Sequence, residues 1–233
     1  MSVGEVAIHC LHLRHDTVCN TDALSMDEME RAAAFQSVQS RKLFIAGRQL
    51  CRSVIAHMTG QTASAIHIAI NSAGKPYLPD CDIRFSLSHN ANCVLLATSR
   101  HVDIGIDLEA FRNDHRDDLE AAASLVLSDV ELRVIVQLDE AERHDALLSA
   151  WVRREAALKC WGQGFLVDPK DMRIQSDQYG SQMTKRTGGA RTTIEGGQFS
   201  DVYGNRYFWA LAQACSNGID RSRLRWNLSH LPP

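Results

Sequence analysis

Asp107 and Glu109 stand two residues apart in VDIGIDLE, and Glu155 and Lys159 four apart in WVRREAALK. Carboxylates are the hard oxygen ligands that magnesium prefers, and magnesium usually shares its shell with substrate phosphates, beside which an ammonium is well placed. The chemistry open to such a set is displacement at a phosphorus of a pyrophosphate. Alone, each pair is ordinary: Asp-x-Glu is a common solvated strand end, and Glu-x-x-x-Lys a surface ion pair worth about 0.3 kcal/mol.

The elements that carry the four residues are legible. Over residues 102–109, Val102, Ile104, Ile106 and Leu108 alternate with Asp103, Gly105, Asp107 and Glu109, the period of a half-buried strand. Asp107 and Glu109 therefore point the same way, with Cα atoms roughly 6 to 7 Å apart, and Gly105 leaves room beside them. Over residues 147–161 the period is helical, with Leu147, Ala150, Trp151, Ala157, Leu158 and Trp161 on one stripe and Glu155 and Lys159 beside it. Arg154 falls within the stripe, where a cation must snorkel out or find an anion, and so suggests a cleft.

Upstream lie Gly74-Lys75-Pro76 and Phe85-Ser86-Leu87-Ser88-His89-Asn90. The order GKP, FSLSHN, GIDLE, WVRREAALK resembles the larger, Sfp type of 4'-phosphopantetheinyl transferase. The likeness extends over most of residues 24–212: Leu24-Ser25 to Glu28, Arg31-Ala32 to Phe35, Arg41, Phe44, Gly47-Arg48 and Arg52, then Leu127-Ser128-Asp129-Val130-Glu131, Gly162-Gln163-Gly164-Phe165 and a late strand near residues 207–212.

The resemblance implies an enzyme that moves the phosphopantetheine arm of coenzyme A onto a serine hydroxyl of an acyl, aryl or peptidyl carrier protein, releasing 3',5'-adenosine bisphosphate. It implies magnesium, with manganese as an alternative, held by Asp107, Glu109 and Glu155. It also implies that Glu155, directly or through a metal-bound water, accepts the serine proton, and that Lys159 contacts the phosphate. A ligated carboxylate is a weak base, so the metal role of Glu155 is favoured. Lys75, Pro76, Ser88 and His89 match positions that touch the nucleotide. Arg41, Arg48 and Arg52 share a helix face, with Arg48 the first choice for a phosphate contact and the other two left as solvated charges or structural pairs. The chain departs from the family pattern at Arg153-Arg154, where a lysine commonly precedes the glutamate, and at Asn90, where a small hydroxyl residue is frequent.

Composition agrees without selecting. The chain has 233 residues, 45% of them hydrophobic and 23% charged, which is ordinary for a soluble domain. A net charge of -3 disfavours nucleic-acid binding. No apolar run approaches the roughly 20 residues that span a bilayer, and no signal-peptide pattern opens the chain, which predicts a cytoplasmic protein without membrane contact. Seven cysteines without C-x-x-C argue against a zinc site or disulfide framework, and Cys51, Cys93 and Cys215 read as small core hydrophobes. His9, His12 and His15 sit on a strand-like run where steps of three alternate faces, so they read as structural or solvated.

A charge-rich loop over residues 111–118 divides the chain. The first half reads strand, helix (25–58) and strands (65–70, 83–88, 93–98, 102–109); the second reads helices (117–124, 128–138, 143–161) and strands (171–176, 191–195, 206–214), with residues 179–191 a mobile hairpin loop. The fold class expected is α+β. The resemblance implies two similar lobes, 1–112 and 113–233, related by a pseudo-twofold axis, each a small antiparallel sheet packed with helices, and a monomer with its active site between the lobes. Apolar residues around 125–130 are a candidate dock for a carrier helix, with intramolecular packing equally open. The rival functions are a coenzyme A-binding module without transfer activity and a metal-dependent phosphodiesterase.

Overall fold

The computed structural model describes residues 5–14, 16–79, 81–112, 116–162, 167–177, 180–185, 191–214 and 224–229. His15, Gln163, Gly164, Phe165 and Cys215, singled out above, lie outside them.

The chain begins with β1 (Val6–His12), then α1 (Met26–Ala33) and α2 (Val38–Thr59). One helix was expected over 25–58, but the capping signals make two. Ser25 and Glu28 form a capping box at the start of α1, and Ser37 restarts the helix by accepting the Ser40 N–H. α2 ends at Gly60 in the left-handed conformation. Two short strands, β2 (Ala69–Ile70) and β3 (Pro76–Tyr77), form a separate hairpin in place of the strand expected over 65–70. β4 (Ile83–Asn90) and β5 (Cys93–Arg100) pair antiparallel, and β5 returns to pair antiparallel with β1.

The pattern then repeats. β6 (Ile104–Ala110) leads through α3 (Arg116–Val126), α4 (Asp129–Ile135) and α5 (Glu140–Trp161) to β7 (Met172–Asp177), β8 (Gly180–Lys185), β9 (Arg191–Ser200) and β10 (Arg206–Ala214). β10 returns antiparallel to β6 as β5 does to β1. Each unit is a strand, a long helix and a hairpin whose last strand pairs with the first, which is the two-lobed α+β arrangement expected. α5, like α2, has 22 residues and stops at a left-handed glycine, Gly162.

Three expectations are corrected. The strand carrying Asp107 and Glu109, expected in the first lobe, hydrogen-bonds to β10 and forms the edge of the second sheet, order β6-β10-β9-β8-β7. A strand missed in the sequence, β11 (Leu224–Ser229), pairs parallel with β1, so the first sheet, β11-β1-β5-β4, is not purely antiparallel and the chain crosses back over the expected boundary at 112. Within the expected loop 179–191, residues 180–185 are β8. Its Met183 is fully buried while Ser181, Gln182 and Thr184 are half-buried, so one apolar anchor suffices on a strand held by ladders on both sides.

The two sheets face each other, and a long helix covers each outer side. Strand alternation sorts the residues. Val6, Ile8, Cys10, Leu95, Ile104, Ile106 and Leu108 form the core between the sheets, whereas Leu11, Phe85, Val94 and Leu96 meet α2. Phe208, Ala210 and Ala212 meet Val152, Ala156 and Cys160 of α5. β6, expected to be half-buried, is therefore covered on both faces.

A candidate active site at the seam of the lobes

β4 and β6 are edge strands of different sheets, and they lie against each other. Side chains rather than a backbone ladder join them. On one face of β4, Ser86 Oγ accepts the Ile106 N–H at 3.1 Å, Ser88 Oγ donates to Asp107 Oδ1 at 2.9 Å, and Asn90 Nδ2 donates to Glu109 Oε2. This row covers two sheet edges that would otherwise expose unpaired groups. Ser86 and Asn90 are site residues beyond those expected, and the alternation of Ser86, Ser88 and Asn90 with Phe85 and Leu87 is a readable sign of a polar strand face.

Helix α5 closes the seam from the other side. Gly105 makes this possible, because a Cβ there would overlap the Ala156 carbonyl oxygen and the Cys160 N–H. The close approach brings Lys159 Nζ to 2.6 Å from Asp107 Oδ1 and 3.1 Å from Ser88 Oγ. Asp107 is buried, and its Oδ2 has no protein partner.

The carboxylates crowd one another. Burial, then the Asp107 charge, pushes the Glu109 carboxyl up to about 7, against the pull of Lys159 and a hydrogen bond from Trp151. Glu155 is raised by the same two causes in the same order. The three carboxylates do not all come within 4.8 Å of one another; among the described residues the group of three that does is Cys10, His12 and Cys93. In this arrangement Lys159, rather than a common centre, takes the Asp107 charge.

The GKP turn reaches the same seam. Asn71 Oδ1 accepts the Ala73 and Lys75 N–H groups, and Asn71 Nδ2 donates to the Gly162 carbonyl at 3.2 Å, so the turn is fastened to the end of α5. Lys75 Nζ donates to the carbonyls of Ile104 at 3.1 Å and Cys160 at 3.3 Å, and burial lowers its pKa. Lys75, Pro76, Ser86, Glu155 and Lys159 line one cavity. Asn90, Glu109, Leu148 and Trp151 line a second.

The other candidates lie outside this junction. His89, on the opposite face of β4 from Ser88, has an exposed side chain that still feels the seam: burial and then the Lys159 charge lower its pKa. Arg48 is buried beside Glu28, with Nε 3.6 Å from Oε1 and its guanidinium over the Phe44 ring. Arg52 pairs with the same Glu28 at 2.8 Å and donates to the Ala63 and Ile66 carbonyls, a structural role. Arg41 donates to the Phe35 carbonyl. Arg154 does not line a cleft: it is 1% exposed, with a nitrogen 2.7 Å from each Glu131 oxygen. Its anion comes from the capping box of α4, 23 residues upstream.

The family model for the 4'-phosphopantetheinyl transferase superfamily matches residues 103–212, and the model for the 4'-phosphopantetheinyl transferase N-terminal region matches residues 13–101. Their limits fall between β5 and β6, where the topology repeats. The chain is 33% identical over 145 residues to the 4'-phosphopantetheinyl transferase HetI of Nostoc sp., covering 60% of each protein. It thus spans about three fifths of the length of the curated relatives it matches. Among solved structures, a holo-(acyl-carrier-protein) synthase from Bacillus anthracis in complex with CoA (3',5'-ADP) aligns at 17% identity and a TM-score of 0.38 over 48% of this chain and 95% of that one. A holo-ACP synthase from Plasmodium yoelii aligns at 20% identity and a TM-score of 0.36 over 50% and 98%. Two adjoining family models, one on each repeat, assign this chain to the 4'-phosphopantetheinyl transferase superfamily.

Proposed function

We infer that the chain transfers the 4'-phosphopantetheine group of coenzyme A to a serine hydroxyl of an acyl, aryl or peptidyl carrier protein and releases 3',5'-adenosine bisphosphate. The observation that carries this reading is the junction of Ser88 on β4, Asp107 on β6 and Lys159 on α5, three motif residues joined by hydrogen bonds across the lobes.

Asp107, Glu109 and Glu155 are assigned to magnesium or manganese. A buried Asp107 Oδ2 without a partner and two carboxyls raised by burial and then by the Asp107 charge are what a hard cation would relieve. When bound, the ion neutralises charge on the phosphoryl oxygens.

The remaining work falls to the chain's own groups. Lys159, reaching the cavity lined by Lys75 and Pro76, holds the phosphate undergoing displacement. Glu155 is assigned a share of the cation first and the serine proton second, since a bound cation would lower the carboxyl that burial and the Asp107 charge raise. Lys75, Pro76, Ser88 and His89 are assigned to the nucleotide. Arg48 is assigned to a phosphate, a reading supported by its Nε and Nη1, which are buried without hydrogen-bond partners.

We place the protein in the cytoplasm as a monomer. The six described cysteines are free thiols, as in a reducing compartment, and no described helix is long and apolar enough to cross a membrane.

The deciding experiment incubates the chain with coenzyme A, magnesium and a panel of apo carrier proteins, then reads intact carrier masses. One added phosphopantetheine supports the assignment, and Asp107→Ala and Glu155→Gln should nearly abolish it. Phosphopantetheine released without any carrier would make the protein a phosphodiesterase, and coenzyme A binding with no modified carrier would make it a binding module.

A further inference from the structure

Away from the seam, a second cluster of ligating atoms sits between the two sheets. Cys10 on β1 and Cys93 on β5 are diagonal neighbours: Cys10 is opposite Leu95, and Cys93 is opposite His12. Cys10, His12 and Cys93 therefore share one face, turned toward the second sheet. The Cys10 and Cys93 sulfurs are 3.6 Å apart, and His12 Nε2 lies 3.3 Å from Cys10 Sγ and 4.0 Å from Cys93 Sγ. Both cysteines are buried, at 3% and 0% exposure, and the half-buried His12 ring caps them, edge-on to Phe199 and Tyr207.

These separations match a known coordination figure. A tetrahedral zinc ion with Zn–S near 2.3 Å and Zn–N near 2.05 Å holds two sulfurs about 3.8 Å apart and each sulfur about 3.6 Å from the nitrogen. The three observed edges bracket those values to within a few tenths of an ångström, so an ion could enter with small side-chain rotations. Thiolate and imidazole are soft or borderline donors, which select zinc-like over magnesium-like ions. Two thiolates and one divalent ion sum to zero charge, so the occupied site suits an apolar seam where a net charge would not.

We propose that Cys10, His12 and Cys93 bind one zinc-class divalent ion, with solvent as the fourth ligand, clipping β1 to β5 beside the second sheet. Binding replaces two S–H bonds with two sulfur–metal bonds and delivers both protons to solvent. The site is separate from the carboxylate seam and does not depend on the transfer reaction.

Cobalt(II) is the probe. Added to the reduced protein, it should give thiolate-to-cobalt charge-transfer absorption in the near ultraviolet that saturates at one cobalt per thiolate site, with tetrahedral bands in the red, whatever further cobalt the carboxylates of the seam take up. Cys10→Ala and Cys93→Ala should each lose the charge-transfer band, and His12→Gln should weaken cobalt retention at least tenfold. Asp107→Ala, which disables the carboxylate seam, should keep the band, and so should Cys51→Ala. Because a core cysteine substitution can unfold the chain, His12→Gln serves as the second variant: zinc at low concentration should raise the melting temperature of the wild type more than that of His12→Gln, and an equal rise in the two would count against the site. Absence of a thiolate band in the reduced protein, or its survival in both cysteine variants, would overturn the proposal.

Discussion

Lys159 Nζ lies 2.6 Å from Asp107 Oδ1, so an ammonium on the helix of the second lobe neutralises a buried carboxylate on the strand that faces both lobes. Ser88 Oγ hydrogen-bonds to both and fixes their angle. A cation reaching Asp107 must share that charge with Lys159, which then has an ammonium to offer an incoming phosphate. Lys159→Met should therefore lower kcat for carrier modification by about 100-fold, while Glu109 and Glu155 still confer a magnesium-dependent thermal shift. Unchanged kcat would remove Lys159 from the reaction.

Glu109 supplies a pH signature. Its folded carboxyl is pushed up to about 7 from an ordinary 4.5, first by burial and then by the Asp107 charge. Between those values the folded protein holds a proton that the unfolded chain has released, so stability falls as pH rises through that window. Urea midpoints without divalent ions should drop from pH 5 to pH 7.5 more steeply in the wild type than in Glu109→Gln. Magnesium should stabilise more at pH 8 than at pH 5.5, because it binds the deprotonated form. Parallel pH profiles for the two proteins would contradict the assignment.

Gly105 sets the distance between β6 and α5. A methyl group there meets the backbone of α5 at Ala156, Cys160 and the Lys159 carbonyl carbon, the last at 2.9 Å, and backbone cannot rotate away. Gly105→Ala should cost about 3 kcal/mol of unfolding free energy and should reduce transfer further by pushing Lys159 away from Asp107. A urea midpoint within error of the wild type would show that α5 can shift freely.

Arg154 and Glu131 separate structure from chemistry. The guanidinium is buried on α5 and donates through Nη2 to both oxygens of Glu131, which also accepts the Ser128 N–H and hydroxyl, so one carboxylate caps α4 and neutralises α5. Burial raises the Glu131 pKa, but bonds from Arg154 and Ser128 outweigh it and leave it lowered. Glu131→Gln should destabilise by on the order of 3 kcal/mol, since it strands a buried cation. The KM for coenzyme A should not change, and a large rise would return Arg154 to the binding site.

Much of the seam was legible because its parts are local. Period two along β6 aligns Asp107 with Glu109, and an i, i+4 step aligns Glu155 with Lys159. What was not legible depends on pairing between distant segments. Alternation identifies β6 as a strand but cannot say which sheet it joins, and β11 finds β1 from the other end of the chain. A cation on an apolar stripe announces that Arg154 needs a partner without naming Glu131. Spacing along β1 relates the histidines near the N-terminus only to one another. His12 instead meets Cys10 and Cys93, and those two cysteines are 83 residues apart in sequence.

Carrier recognition has a candidate surface on α4 and the end of α3. Leu125, Val130, Val134 and Val136 are exposed at 69, 62, 62 and 52%, and Val130 and Val134 are one helical turn apart, so they share a face. Arg133 on the same helix supplies positive charge for an acidic carrier. These side chains add little to the core, so replacing them should leave the fold intact. Val134→Glu should raise the KM for the carrier about tenfold with the KM for coenzyme A unchanged, and Arg133→Glu should slow association most at low salt. Each parameter is read by varying one substrate at saturation of the other. A parallel rise in both constants would mean that the substitution disturbs the seam through α5, and the dock would then have to be sought on another face.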